Sequence, residues 1–78
     1  MTEQIRVTAG ERESDEIIDS LESGARVIIE TDILGTTYEV TLRYDGTVYY
    51  CDTPTTLHKH ETADAMRQCL RNQEYVDR

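Results

Sequence analysis

Apolar and polar residues alternate along three successive stretches of the chain, and this alternation limits the fold more than any other feature. Side chains of a β-strand point alternately to opposite faces of a sheet, so a period of two marks strands with one buried face. The alternating apolar positions are Val27 and Ile29, then Tyr38, Val40, Leu42 and Tyr44, then Tyr49 and Cys51. The pattern predicts a three-stranded antiparallel meander.

A turn at Asp45-Gly46 is predicted between the second and third strands. This dipeptide is a strong hairpin signal, because a type I′ turn needs positive φ at both central residues. A two-residue turn at this point would set the register of the two strands. The predicted pairs are Tyr44 with Thr47, Leu42 with Tyr49, and Val40 with Cys51.

A second turn is predicted around Leu34-Gly35, between the first two strands. A slip of one residue would move the apolar side chains of the first strand to the other face. The resulting register also sets Glu30 against Glu39 on the outer face, a like-charge pair that is destabilising at low salt. The apolar pairs predicted from this turn are Ile29 with Val40, and Val27 with Leu42.

The sequence predicts one helix before the meander and one after it. Ser14 is a good helix start because its hydroxyl can accept a hydrogen bond from a free backbone N–H, and Gly24 is suited to the left-handed cap position. From Pro54 the chain is expected to leave the sheet. A last helix is then predicted to begin between residues 60 and 62 and to end at Asn72 or Tyr75.

These elements predict an α+β fold in a single domain that spans residues 1–78. Its order is (β)-α-β-β-β-α, where the bracketed strand is residues 3–8 and residues 1–10 form either a short edge strand or a flexible tail. Both helices are expected on the face of the sheet that carries Val27, Val40 and Tyr49.

The balance of charges indicates the environment of the protein. Sixteen acidic residues stand against eight basic ones, only one of which is a lysine, Lys59, and the formal net charge is −8. Such an excess is typical of proteins from the high-salt cytoplasm of halophilic archaea, where charge repulsion is screened. The acidic chain is not expected to bind nucleic acid, and without a long apolar run it is not expected to enter a membrane.

Residues 49–61 hold the densest set of chemically active side chains. Both histidines lie here, His58 and His60, and imidazole nitrogens are suitable ligands for zinc. One hypothesis is therefore a transition-metal site that uses His58 and His60. The alternative is that His58 is a solvated loop residue and His60 belongs to the start of the last helix.

The two cysteines, Cys51 and Cys69, could supply a thiolate for nucleophilic catalysis beside a histidine. Both are expected on apolar faces, however, where a free cysteine usually packs as a small hydrophobic side chain. No signal peptide precedes them, which favours a reducing cytoplasm. We expect no catalytic residue, no enzymatic activity and no cofactor.

The favoured function is a small interaction or regulatory module that self-associates or binds another protein. A domain of 78 residues has a thin core, and its stability benefits from a partner surface. The predicted interface is a modest apolar patch on the outer face of the sheet. It consists of Ile28, Thr41, Val48 and Tyr50.

Two segments, residues 34–46 and residues 49–60, resemble a group of small uncharacterised haloarchaeal proteins. The segments read Leu34-Gly35-Thr36-Thr37-Tyr38-Glu39-Val40-Thr41-Leu42-Arg43-Tyr44-Asp45-Gly46 and Tyr49-Tyr50-Cys51-Asp52-Thr53-Pro54-Thr55-Thr56-Leu57-His58-Lys59-His60. The resemblance extends over roughly residues 14–75. It implies a haloarchaeal cytoplasmic protein with a compact domain, and it brings no activity, cofactor or site residue.

Overall fold

The computed structural model describes residues 3–76 and shows an α+β fold with two helices and one five-stranded mixed sheet. The strands lie across the sheet in chain order. The predicted meander is therefore the centre of a larger sheet. The elements are β1 (Gln4–Thr8), α1 (Ser14–Glu22), β2 (Arg26–Ile33), β3 (Thr36–Tyr44), β4 (Tyr49–Asp52), β5 (Leu57–His60) and α2 (Ala63–Asn72).

The sequence allows either a strand or a tail near the N-terminus, and the structure shows a strand. β1 pairs with β2 in parallel and places Val7 opposite Ile29. Parallel neighbours need a crossover connection, and here α1 provides it. Val7 is only 3% exposed, so β1 contributes to the core.

The predicted register between β2 and β3 is confirmed. Val27 lies opposite Leu42, Ile29 lies opposite Val40, and Glu30 lies opposite Glu39. The turn at Leu34-Gly35 is confirmed as well, with positive φ angles of 51° and 83°.

The predicted register between β3 and β4 is wrong by two residues. The structure pairs Tyr44 with Tyr49 and Leu42 with Cys51. The cause is Asp45, whose Oδ1 accepts hydrogen bonds from the backbone N–H groups of Val48 at 2.7 Å and Thr47 at 2.8 Å. These bonds lower the pKa of Asp45 and hold a loop of four residues. A shift of two residues keeps every side chain on its predicted face.

The expectation that the chain leaves the sheet at Pro54 is wrong. Thr53 closes a turn instead: its Oγ1 accepts a hydrogen bond from the N–H of Thr56 at 2.9 Å, and its own N–H donates to the carbonyl of Thr56 at 2.9 Å. β5 then returns antiparallel to β4. His58 and His60 are consequently strand residues, so their assignment to a loop and to a helix start is also wrong.

Both helices pack on one face of the sheet, as predicted. α2 begins after Thr62, whose Oγ1 accepts from the N–H of Ala65 at 3.1 Å. The cap residue of α1 is Glu13 rather than Ser14, which is the first helical residue and is buried. The core between helices and sheet consists of Val7, Ile17, Ile18, Leu21, Val27, Ile29, Val40, Leu42, Tyr49, Cys51, Met66, Cys69, Leu70 and Val76.

Tyr49 ties the end of α1 to the sheet. Its hydroxyl donates a hydrogen bond of 2.6 Å to Oε2 of Glu22, and its ring stacks on Tyr44 with 4.2 Å between centroids. The hydrogen bond to Glu22, together with burial, raises the pKa of Tyr49 to about 12. The neutral phenol is thus the form that the fold stabilises.

Candidate functional site

The hairpin of β2 and β3 is longer than the helices that cover it. The nine residues of β3 span about 30 Å, whereas the nine residues of α1 span only about 14 Å. We call the end of this hairpin, residues 31–38, the arm. Every side chain from Leu34 to Glu39 is exposed.

Leu34 at the tip of the arm is unusual in two respects. Its side chain is 101% exposed, so the fold gains nothing from burying it. Its φ of 51° lies in the left-handed region, where glycine or asparagine would fit with less strain. Neither the turn nor the core explains a leucine at this position.

A cleft of about 370 Å³ opens at the base of the arm, on the side of the sheet that carries the helices. Its walls come from the arm and β3, from the turn of residues 53–56 with β5, and from the end of α2. The lining residues are Thr31, Tyr38, Val40, Thr53, Pro54, Thr55, Thr56, His58, Gln73 and Tyr75. We call the arm, this cleft and the turn of residues 53–56 together the distal end.

The cleft is lined without Asp, Glu, Lys or Arg among the residues that the structure describes. This is notable because charged residues make up 31% of the chain. Aromatic and apolar surfaces alternate with hydroxyl groups, and burial raises the pKa of Tyr75, which keeps its phenol neutral. Such a cleft suits an uncharged occupant with apolar surface and a few hydrogen-bonding groups.

The cleft was not predicted from the sequence, because its walls come from segments far apart in the chain. The turn of residues 53–56 reaches it only because β5 exists. One signal was present: Leu34 stands next to Gly35 in a predicted turn, where polar residues are preferred.

The two histidines lie side by side on β5 and face the helices. His58 pairs with Cys51 across the sheet and His60 with Tyr49, and the two imidazole rings are parallel with 6.4 Å between centroids. His58 lines the cleft. The Nε2 atom of His60 is buried and has no hydrogen-bond partner within residues 3–76, and burial lowers the pKa of this imidazole.

The geometry offers at most two adjacent imidazoles to a metal. In the part of the chain that the structure describes, no three His, Cys, Asp or Glu residues are grouped closely enough to hold an ion. The site predicted from His58 and His60 would need further ligands from elsewhere. It stays a prediction.

The cysteines are buried on apolar faces, as expected. Cys51 is fully buried and Cys69 is 9% exposed. Burial raises the pKa of Cys51 to about 12 and also raises the pKa of Cys69. The thiolate form that nucleophilic chemistry requires is therefore disfavoured at neutral pH.

The predicted interface residues Ile28, Thr41 and Tyr50 lie on the outer face of the sheet, whereas Val48 lies in the loop before β4. Ile28 is only 8% exposed. The Tyr50 ring is covered by the Arg43 guanidinium, 4.1 Å from the ring centroid, and its hydroxyl donates to Asp45 at 3.0 Å. These positions therefore leave little apolar surface open.

Glu30 and Glu39 are not left facing each other on this outer face. The Arg6 guanidinium, reaching across from β1, forms ion pairs with both carboxylates. An opposite charge between two like charges offsets much of their repulsion. Arg6 of the parallel strand β1 therefore reduces the destabilisation that was predicted for this pair.

Comparison with known families gives a match to a family of unknown function (DUF8001) whose model covers residues 1–78. The chain belongs to this family. Neither the curated proteins nor the solved structures contain a match. Family membership brings no activity with it, so function must be argued from the surface of this DUF8001 chain.

The large exposed hydrophobic side chains of this DUF8001 chain are concentrated at one end. Among the side chains that the structure describes they are Leu34, Tyr38 at 36% exposed and Leu57 at 45% exposed. Leu34 and Tyr38 belong to the arm, whereas Leu57 follows the turn of residues 53–56 and pairs with Asp52 on the outer face of the sheet. None of the helices in this part of the chain is long and apolar enough to span a membrane.

Proposed function

We propose that this DUF8001 chain is a small, non-enzymatic protein-interaction module that forms a homodimer through its distal end. The observation that carries the proposal is Leu34. A fully exposed leucine in a left-handed turn position costs the isolated chain stability and returns nothing to it. Such local exceptions are expected where a residue serves a function.

Burial of the two Leu34 side chains would supply part of the free energy of association. Complete burial of a leucine side chain contributes about 1.5–3 kcal/mol, and a two-fold dimer buries two copies. A standard interface covers about 800 Å² per partner. That is roughly one sixth of the 5009 Å² surface of the chain.

We extend the proposal to the environment, the cytoplasm of a salt-accumulating halophile. The support is the excess of sixteen acidic over eight basic residues and the single lysine. Molar salt screens ion pairs and strengthens apolar burial. An uncharged cleft and an exposed leucine at the tip of the arm are the kind of contact surface that keeps its affinity under these conditions.

The outer face of the sheet is the rival surface for self-association. It includes Ile28, Thr41 and Tyr50, but Ile28 is buried within the chain and the Tyr50 ring is already covered. At the distal end, Leu34 is fully exposed and Tyr38 is 36% exposed. We therefore favour the distal end as the site of dimerisation.

Sedimentation velocity over a concentration series in molar KCl tests the proposal. We expect a dimer of twice 9.0 kDa for the wild type, a monomer for Leu34→Asn, and a dimer for Tyr50→Glu on the outer face. Loss of the dimer in Tyr50→Glu alone would place the interface on the outer face. A wild type that stays at 9.0 kDa throughout would contradict self-association.

A further inference from the structure

We infer, on the basis of the proposed homodimer, that the two copies interlock reciprocally, with Leu34 of each copy occupying the cleft of the other. The tip and the cleft are the two features of the distal end that the packing of a single chain does not explain. One is an apolar side chain without a pocket, and the other is an uncharged pocket at the base of the same arm.

The distance between tip and cleft fits such an arrangement. Thr31 and Tyr38 form a cross-strand pair at the base of the arm, and both line the cleft. Leu34 lies three residues beyond Thr31, which is about 10 Å along a strand. If two arms lie side by side and antiparallel about a two-fold axis, the tip of each falls at the base of the other.

The chemistry of the cleft matches the tip. Tyr38 and Tyr75 present apolar ring surface to a leucine side chain, and no charged group among the described lining residues would be left without solvent. The exposed hydroxyl of Thr55 lies at the rim and can hydrogen-bond to the backbone of a partner's turn. A volume of about 370 Å³ leaves room for the leucine side chain together with part of that turn.

Symmetry accounts for why the contact stops at two copies. A reciprocal contact uses the same tip and the same cleft on both subunits and leaves neither free. A one-way insertion would leave a cleft open at one end and a tip open at the other, and would build a filament. The reciprocal arrangement therefore predicts a closed dimer.

Cross-linking between differently substituted chains tests the interlock. Leu34→Cys is introduced in one chain and Thr55→Cys in another, so that a bismaleimide of short span can join these two positions only between copies. The native thiols are buried, and wild-type protein controls for their reaction. Leu34→Cys mixed with Lys59→Cys, on the outer face of β5, is the matched control pair.

We expect the Leu34→Cys and Thr55→Cys pair to cross-link roughly tenfold faster or more than the control pair, because the dimer raises the effective concentration of the two thiols. A second pair, Leu34→Cys with Gln73→Cys, probes the opposite wall and replaces the first if a variant misfolds. Leu34→Cys alone should not link to itself, since antiparallel arms hold the two tips apart.

The outcomes separate this inference from the proposed function. A dimer in sedimentation that links tip to tip, or that links the control pair as fast as the cleft pairs, would overturn the interlock and leave self-association standing. Mixed cysteine variants that themselves sediment as dimers, but in which neither cleft pair links, would do the same. A chain that stays monomeric in sedimentation and links no pair would overturn both.

Discussion

Replacement of Leu34 by asparagine should change folding stability and dimer affinity in opposite directions. Leu34 has a φ of 51° and is fully exposed in the single chain. A bulky residue in the left-handed region costs about 1–2 kcal/mol, and asparagine recovers part of this because its short polar side chain tolerates that conformation. We therefore expect Leu34→Asn to raise the free energy of unfolding of the monomer by about 0.5–1 kcal/mol.

The same substitution should weaken dimerisation strongly. The dimer loses two buried leucine side chains at about 1.5–3 kcal/mol each, or about 3–6 kcal/mol together. At 1.4 kcal/mol for each tenfold change, the dissociation constant should rise by about 10² to 10⁴. If Leu34 served only the turn, its replacement would leave the dissociation constant of the dimer unchanged.

Two measurements and one control variant check this reasoning. Urea unfolding followed by far-ultraviolet circular dichroism gives monomer stability at concentrations below dimerisation, where mass action does not add to it. Sedimentation gives the dissociation constant. Glu74→Asn relieves a similar φ of 59° after α2 and should raise stability without weakening the dimer. An unchanged dissociation constant for Leu34→Asn would refute the role of the leucine.

Three further predictions concern the rest of the fold. Arg6→Gln should leave the two facing glutamates of the outer face unshielded, so its urea midpoint should rise more between about 0.1 M and about 2 M KCl than that of wild type. The control is Arg26→Gln, because Arg26 lies on the same face but forms no ion pair within residues 3–76. Equal salt dependence of the two variants would contradict the shielding role of Arg6. The pKa of Tyr49 is raised from 10.0 to about 12, so its stabilising contribution is complete below pH 10 and is lost as the pH rises to about 12. Tyr49→Phe should remove the highest tyrosinate transition in an absorbance titration, and a transition that persists would disprove the assignment. Burial raises the pKa of Cys51 to about 12 and also raises the pKa of Cys69, so neither thiol should react with iodoacetamide in the folded protein at neutral pH. Unfolding in urea should make both thiols reactive. Rapid labelling without urea would contradict the packing.

The centre of the sheet follows from sequence because two independent signals agree there. The alternation of β2 and β3 fixes which side chains are buried, and the left-handed pair Leu34-Gly35 fixes where the chain reverses. The next turn was harder to predict. Asp45 uses its carboxylate to hold two backbone N–H groups, which makes a loop of four residues where the dipeptide alone predicts two.

β5 and the cleft lie beyond what periodicity can predict. The residues of β5 that face the helices are histidines, so a search for alternating apolar positions finds no strand there. The cleft depends on the difference in length between the hairpin and the helices, and on a turn that exists only because β5 returns along β4. His58 was singled out from sequence for its chemistry, and the structure places it in the wall of that cleft.

An intermolecular nuclear Overhauser experiment tests the central claim most directly. A sample is prepared by mixing chains labelled at the leucine methyl groups with unlabelled chains, and only contacts between copies are recorded. The interlocked homodimer predicts cross-peaks from the Leu34 methyl groups to the rings of Tyr75 and His58 of the other copy. Leu34 methyl groups without any intermolecular contact, at concentrations where sedimentation shows a dimer, would contradict it.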